Sequence, residues 1–157
     1  MDDRERVAIG ADDVGFGLKE VIKAHLEARG HEAVDFGCFD EAPVDYPDVA
    51  AEVARAVADG RFERAILVCG TGLGMAMAAN KVPGVRAASV TDPYSAERAR
   101  KSNDAQVLCL GSRVVGTEVA KILVDHWLDS EFVGGDSARK VAKIAAIDAA
   151  RDGARGT

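Results

Sequence analysis

Apolar residues along this chain recur in short runs that alternate with segments of helical periodicity. Runs at residues 6–11, 66–69, 85–90 and 105–111 are typical of buried parallel strands, whereas residues 31–37 alternate polar with apolar, as strands near a sheet edge do. Between these runs, apolar residues repeat every three or four positions and predict helices. The helices are predicted over residues 15–30, 47–57, 75–80, 93–101, 116–128 and 136–151.

Strand and helix alternate five times, which predicts an α/β fold. We expect a five-stranded parallel sheet with helices on both faces, a Rossmann-like three-layer sandwich. The helix over residues 136–151 follows Gly134 and Gly135 and is surplus to the five units, so it is expected to reach a partner subunit. The pattern predicts one domain over residues 1–157, with a polar tail at residues 151–157.

Composition narrows the classes of partner. Of 157 residues, 48% are hydrophobic and 29% charged, the net charge is −6, and no basic cluster stands out, which argues against nucleic acid and against an anionic membrane surface. No apolar run approaches the roughly 20 residues of a membrane span. The charged start at residues 1–6 predicts no signal peptide, and Cys38, Cys69 and Cys109 lack metal-ligand spacing. We expect a reduced, cytoplasmic protein.

A glycine-rich loop follows the apolar run that ends at Cys69. Gly70, Gly72 and Gly74 allow the backbone to present N–H groups at close range, and the short helix over residues 75–80 adds the positive end of its dipole. A thiol at this strand end would be stabilised as a thiolate, and the same donors would stabilise an enolate. The alternative interpretation is a small buried cysteine beside a tight turn.

In parallel α/β sheets, ligands bind beyond the carboxyl ends of the strands. The residues expected there include a thiol, carboxylates, a phenol, an amide and a guanidinium, which is more chemistry than a structural rim requires. They are Asp12, Asp13, Asp45, Tyr46, Cys69 to Gly74, Asp92, Asn103, Asp104 and Arg113.

The remaining motifs give weaker indications of function. Gly70, Gly72 and Gly74 do not have the spacing of a dinucleotide fingerprint, Pro83 ends the following helix early, and no P-loop is present. The histidines lack metal-ligand companions and are expected to face solvent or cap helices, and two cysteines are expected in the core. These residues are His25, His31, His126, Cys38 and Cys109.

A set of segments in one order resembles the ribose-5-phosphate isomerase B family, which includes the galactose-6-phosphate isomerase subunits. The likeness runs over about residues 6–148, and the loop Cys-Gly-Thr-Gly-x-Gly-Met with Ala-Asn-Lys is its most specific part. The segments lie at residues 10–16, 45–47, 69–75, 79–81, 94–96, 103–105 and 111–116.

The resemblance implies an aldose–ketose isomerase that works through an enediolate, without metal or organic cofactor. It implies a dimer or tetramer with sites shared between subunits. Cys69 matches the residue that moves the proton between C1 and C2, Thr71 and the amides of residues 70–74 match the oxyanion pocket, and the remaining matches hold substrate hydroxyls. Those matches are Asp12, Tyr46 and Asn103. Met75 stands where another branch has a glutamate base, so the chain looks like the cysteine type.

The chain departs from the pattern of the family it resembles at positions that the resemblance assigns to substrate binding, so we expect a divergent member. Asp13 replaces a histidine, Ser102 replaces the histidine thought to open the furanose ring, and Asp136 replaces a phosphate-binding arginine. Lys140 replaces a second arginine, while Arg113 is retained and Arg139 is a possible substitute. Two added carboxylates would weaken phosphate binding where water is excluded.

These departures predict an isomerase with an altered substrate, such as a tetrulose phosphate, a non-phosphorylated sugar or a sugar acid. Two alternatives stay open. One is an ordinary ribose-5-phosphate isomerase in which the neighbouring subunit supplies other cations. The other is a homologue that binds sugar phosphates without turnover, although a binding module has no need of a thiol at an oxyanion loop.

Overall fold

The computed structural model describes residues 5–155 and confirms the predicted α/β sandwich. The strands are β1 (Arg6–Ala11), β2 (Glu32–Asp35), β3 (Arg64–Cys69), β4 (Ala87–Ser89) and β5 (Val107–Gly111). The helices are α1 (Phe16–Ala28), α2 (Tyr46–Ala58), α3 (Leu73–Ala79), α4 (Pro93–Lys101), α5 (Thr117–Leu128) and α6 (Asp136–Arg155).

All strands are parallel, in the order β2-β1-β3-β5-β4. The central strand β3 is buried along its whole length, and it aligns Ile66 with Ile9 on one side and Leu67 with Cys109 on the other. Helices cover both faces, so a central strand meets apolar side chains above and below and reads as a continuous apolar run. The edge strands β2 and β4 are only half-buried, which matches the alternating sequence of β2.

Two apolar clusters lie on the two faces of the sheet. Helices α1, α4 and α5 cover one face, where Ile22, Leu123 and Trp127 are fully buried. Trp127 satisfies its indole N–H by donating to the Ala105 carbonyl at 3.1 Å. Helices α2 and α3 cover the other face, with Val53 and Met75 at its centre. Each face therefore has its own core, and α6 belongs to neither cluster.

Several boundaries differ from those that the sequence predicts. Strand β4 is shorter than residues 85–90, because the Arg86 amide donates to the Gln106 side chain at 2.8 Å instead of entering the ladder. Helix α6 continues through residues 151–155, which the pattern placed in a polar tail. Residues 156–157 of that tail, and most of the charged start at residues 1–6, lie outside the described residues.

Helix α6 crosses the amino edge of the sheet. The Val133 amide, which precedes α6, donates to the Lys101 carbonyl before β5, and Asp148 accepts a hydrogen bond of 3.0 Å from the Gly84 amide before β4. Apolar side chains within and just before α6 are left exposed, namely Val133, Ile144 and Ile147, and Met77 of α3 is exposed as well. Across residues 5–155, none of the helices has the length and apolar character required to cross a bilayer.

Candidate active site

The carboxyl end of β3 is a switch point of the sheet, the place where a ligand crevice forms in folds of this kind. The helix after β3 packs on one face, while the helices after its neighbours β1 and β5 pack on the other, and such a reversal leaves room for a ligand. Backbone hydrogen bonds extend the pairing past the strand ends. The Asp12 amide donates to Val68 at 3.3 Å, the Ser112 amide to Cys69 at 2.8 Å and the Arg113 amide to Gly70 at 3.0 Å. Segments from three strands therefore meet around Cys69.

The Cys69 thiol lies under its glycine loop, 4% exposed. The Gly72 amide donates to its Sγ at 3.1 Å, a hydrogen bond that strengthens when sulfur carries negative charge. Gly72 reaches this position with φ of +79°, a left-handed conformation that residues with a side chain rarely adopt. The loop is closed further by the Leu73 amide, which donates to the Thr71 hydroxyl oxygen at 3.2 Å. Two amides of the predicted oxyanion loop are thus engaged with the thiol and with Thr71.

Tyr46, at the start of α2, lies across the same loop. A Cβ built on Gly74 would sit 2.6 Å from two ring carbons of Tyr46 and 2.9 Å from its hydroxyl oxygen. This close approach is possible only because residue 74 has no side chain. The Tyr46 side chain is 40% exposed, so its hydroxyl is available to a ligand in the crevice.

Two neighbouring carboxylates after β1 have different environments. Asp12 is 7% exposed and accepts a hydrogen bond of 2.9 Å from the Gly15 amide. Burial raises the pKa of Asp12 above its usual value, the Gly15 amide opposes this, and the charge of Asp13 adds to it. Asp13 is half-buried and accepts a hydrogen bond of 3.1 Å from the Val44 amide, so it also ties the loop that leads to Tyr46. The sequence did not indicate that tie.

Three predicted binding residues lie at the other edge of the sheet. Asn103 precedes β5, next to Arg86 and Ile144, so the expectation that it lies beyond a carboxyl strand end is wrong. Asp136 and Lys140 are exposed on the first turns of α6, at the same amino edge. A five-residue strand separates the edges by about 16 Å. Within one chain these residues do not meet Cys69.

The remaining cysteines are core residues, as predicted. Cys38 and Cys109 are buried, and burial raises the pKa of both thiols. His25, which was expected to face solvent or cap a helix, is partly buried in the last turn of α1 and shares a hydrogen bond of 2.6 Å with Asp125. Within residues 5–155, no group of three or more potential ligands is arranged for a metal ion.

The crevice thus combines a thiol in contact with a backbone amide, a buried carboxylate, a phenol and a guanidinium. A thiolate can remove a proton from carbon, and aligned amides can stabilise the oxyanion that forms on the adjacent carbon. This chemistry suits proton transfer next to a carbonyl group. The residues that converge here are Asp12, Asp13, Tyr46, Cys69, Thr71, Gly72, Gly74 and Arg113.

Three comparisons with known proteins lead to one family. The profile of the ribose/galactose isomerase family matches residues 7–144. The ribose-5-P isomerase B of Listeria innocua is 48% identical over 91% of this chain and 97% of that protein. The D-erythrulose-4-phosphate isomerase of Pectobacterium atrosepticum is 52% identical over 88% of this chain and 91% of that protein. The structure of ribose-5-phosphate isomerase B from Clostridium thermocellum superposes with a TM-score of 0.91 at 48% identity, covering 93% of this chain and 99% of that one.

Proposed function

The chain belongs to the ribose/galactose isomerase family, and we propose that its substrate is an open-chain four-carbon sugar phosphate. The family and its relatives make the chain an aldose–ketose isomerase. Its substrate, the residues that carry the reaction and the assembly that completes the site are proposed below from the geometry. One observation carries the choice of substrate: Ser102 occupies the position that the resemblance assigns to a ring-opening histidine, and its hydroxyl is bound to Arg98.

In the proposed reaction, Cys69 moves the proton. Its thiolate removes the proton from C2 of the aldose, electrons shift to the carbonyl oxygen, and an enediolate forms. Amides of the loop over residues 70–74, with Thr71, stabilise the oxyanion. Cys69 then returns the proton to C1 while the proton of the C2 hydroxyl passes to the C1 oxygen, so C2 becomes the carbonyl of the ketose with no net change in atoms or charge. Asp12 and Tyr46 hold substrate hydroxyls in this arrangement.

Five-carbon and four-carbon sugar phosphates differ in whether they close a ring. A five-carbon aldose phosphate closes a furanose ring through its C4 hydroxyl, so an isomerase for it gains from a general acid at the ring oxygen. The Ser102 hydroxyl oxygen accepts a hydrogen bond of 2.7 Å from Arg98 Nε, and a serine hydroxyl does not release a proton near neutral pH. In a four-carbon 4-phosphate the C4 oxygen carries the phosphate, so no furanose can form and no ring-opening acid is needed.

The charges near the phosphate also favour a four-carbon substrate. A substrate one carbon shorter holds its phosphate closer to Cys69, and Asp136 then repels the phosphate of a longer substrate at its outer position. Arg113, Arg139 and Lys140 supply the positive charge that remains for the shorter one. The relative from Pectobacterium atrosepticum, named as a D-erythrulose-4-phosphate isomerase, supports this class of substrate.

The proposed site is shared between two copies of the chain. One copy provides the crevice around Cys69, and the other provides Ser102, Asn103 and Lys140 from its amino edge. The exposed apolar residues Met77, Val133, Ile144 and Ile147 provide the contact surface for that partner. The assembly is therefore at least a homodimer.

A substrate panel tests the proposal. Solvent proton–deuterium exchange and turnover are measured with D-erythrulose 4-phosphate, D-ribose 5-phosphate and the non-phosphorylated sugars. We expect turnover of the four-carbon phosphate and a kcat/KM for ribose 5-phosphate below about 10⁴ M⁻¹s⁻¹. The triple variant Asp13→His, Ser102→His, Asp136→Arg should gain ribose 5-phosphate activity.

The second candidate is an ordinary ribose-5-phosphate isomerase, which the 48% identity to the Listeria innocua protein favours. If the parent enzyme turns over ribose 5-phosphate at about 10⁴ M⁻¹s⁻¹ or faster, the replacements are neutral drift and this second candidate is correct.

A further inference from the structure

A lysine is buried beneath the rim of the crevice. Lys19, in the first turns of α1, has no solvent exposure. Its Nζ donates to both Asp35 carboxylate oxygens at 2.8 Å and to the Cys38 carbonyl at 2.5 Å. The rings of Phe16 and Phe39 lie 5.2 and 5.4 Å from the same nitrogen. A buried ammonium group needs such compensation, since its desolvation is otherwise strongly unfavourable.

The partners of Lys19 lie where β2 passes into the long loop over residues 38–45. At this point the Ala11 amide donates to Gly37 and the Cys38 amide donates to Ala11, both at 2.7 Å, so the loop starts alongside the end of β1. Asp13 holds the far end of the loop through the Val44 amide. Lys19 thus binds the start of this loop, where the Asp35 carboxylate also accepts from the Gly37 amide, and Asp13 binds its end.

The loop over residues 38–45 sets the position of Tyr46. Tyr46 follows the loop directly and lies against Gly74 in the glycine loop. Displacement of Cys38 would draw the loop with it and strain the hydrogen bond between the Val44 amide and Asp13, so that Tyr46, two residues after Val44, would shift relative to Gly74. A misplacement of about 1 Å in a substrate-contacting group can reduce a rate about 100-fold.

From this geometry we propose that Lys19 is a positioning residue, which sets the Tyr46 hydroxyl in the active site through the loop over residues 38–45. The inference rests on the proposed isomerase function and on the role of Tyr46 in binding substrate. Lys19 is too deeply buried to touch substrate itself. Its effect on the reaction passes through Tyr46.

Lys23 provides a matched control. It lies one turn further along α1, and its Nζ also donates to Asp35 at 2.8 Å, but the described hydrogen bonds include none from Lys23 to the loop backbone. Burial opposes the ionisation of Asp35, yet hydrogen bonds from Lys19 and Lys23 hold the pKa of Asp35 below its usual range. Both lysines stabilise the same carboxylate, and only Lys19 also binds the Cys38 carbonyl.

A double-mutant cycle tests the proposal. Lys19→Met is expected to lower kcat/KM about 10- to 100-fold, chiefly by raising KM. In a Tyr46→Phe background, where the hydroxyl is absent, the same substitution should change kcat/KM less than about threefold, because coupled residues are non-additive. Lys23→Met should leave kcat/KM within about threefold in either background. Additive effects of Lys19→Met and Tyr46→Phe would overturn the proposal.

A readout without substrate separates this inference from the proposed function. Amide hydrogen exchange should rise in residues 38–46 and 70–76 of Lys19→Met, with no such rise in Lys23→Met. That result would stand even if no isomerase substrate were found, and unchanged exchange in these segments would contradict the proposal. If Lys19→Met does not fold, Lys19→Gln repeats both measurements. Failure of both variants to fold, while Lys23→Met folds, would assign Lys19 to folding and overturn the positioning role.

Discussion

At the scale of single residues, Cys69 unites two properties that a proton-transfer group needs. It lies at the end of a rigid central strand, and the Gly72 amide points at its sulfur from 3.1 Å. The sequence predicts a thiol at a strand end beside a glycine loop, and it leaves a buried cysteine beside a tight turn as the alternative interpretation. The double role of Asp13 was beyond prediction, since its hydrogen bond to Val44 joins segments 31 residues apart.

The first prediction concerns Cys69 itself. Cys69→Ala removes the proposed base without adding volume, so the fold should persist and kcat should fall about 10²- to 10⁴-fold. Steady-state kinetics measures the loss, and Cys109→Ala is the matched control because that thiol is fully buried on the neighbouring strand. A Cys69→Ala enzyme that kept more than about a tenth of the parent kcat would remove Cys69 from this role.

The second prediction concerns the pH dependence of stability through Asp12. Because burial raises the pKa of Asp12 in the folded protein, the folded state binds this proton more tightly than the unfolded state does. Stability from this group is therefore highest at acid pH and is lost as pH rises from the usual value of 3.8 through the raised one. Asp12→Asn, which keeps an oxygen acceptor for the Gly15 amide, should be more stable than the parent at pH 7.

Urea unfolding of the parent and of Asp12→Asn at several pH values checks this difference. The urea midpoint of Asp12→Asn should exceed that of the parent at pH 7, and this difference should shrink as pH falls below the usual pKa of Asp12. The activity of Asp12→Asn should be low at every pH because the carboxylate is lost. A variant less stable than the parent at pH 7 would show that the Asp12 charge is compensated in the folded protein.

At the scale of elements, the periodicity of apolar residues predicted the order of strands and helices. It did not predict where each of them begins and ends. The apolar runs specify β1, β3 and β5 because these strands are covered on both faces. The start of β4 depends instead on the Gln106 side chain, a contact 20 residues away that no local pattern encodes. The sequence of helix α6 is amphipathic, but its apolar side chains stay exposed on the described chain. An exposed apolar face gives little indication of where a helix ends, and the last residues of α6 were therefore assigned to a polar tail.

The third prediction concerns the contact between α2 and the glycine loop. Gly74→Ala places a Cβ 2.6 Å from the Tyr46 ring, so either Tyr46 or the loop must move, and kcat/KM should fall at least about tenfold. Gly17→Ala is the control, because nothing lies within 4 Å of a Cβ at this helical position. It should leave activity unchanged and stabilise the protein by up to about 1 kcal/mol. Equal kinetics for the two variants would show that Tyr46 is not needed near Gly74.

At the scale of the whole molecule, the proposed binding residues lie on two edges of the sheet. Cys69, Tyr46 and Asp12 share the carboxyl edge, whereas Asn103 and Lys140 share the amino edge. The family resemblance indicated all of these residues from the sequence. It did not show that, within one chain, the residues of the carboxyl edge lie far from those of the amino edge. That separation depends on which end of β5 Asn103 occupies, and it is the reason that the proposed site needs a second copy.

The last prediction tests this shared site by complementation. Cys69→Ala damages the carboxyl edge and Asn103→Ala the amino edge, so each homodimer has two defective sites. A mixed dimer pairs both defects in one site and leaves the other intact, and random mixing in a two-fold dimer should restore about a quarter of the parent activity. Cys69→Ala mixed with Asp12→Asn is the control, since both changes lie on the carboxyl edge and no intact site can form.

The variants are unfolded together, refolded and assayed, and sedimentation at micromolar concentration reports the assembly. A monomer in sedimentation, or recovery in neither mixture, would mean that Asn103 is not part of the active site and that the site belongs to one chain.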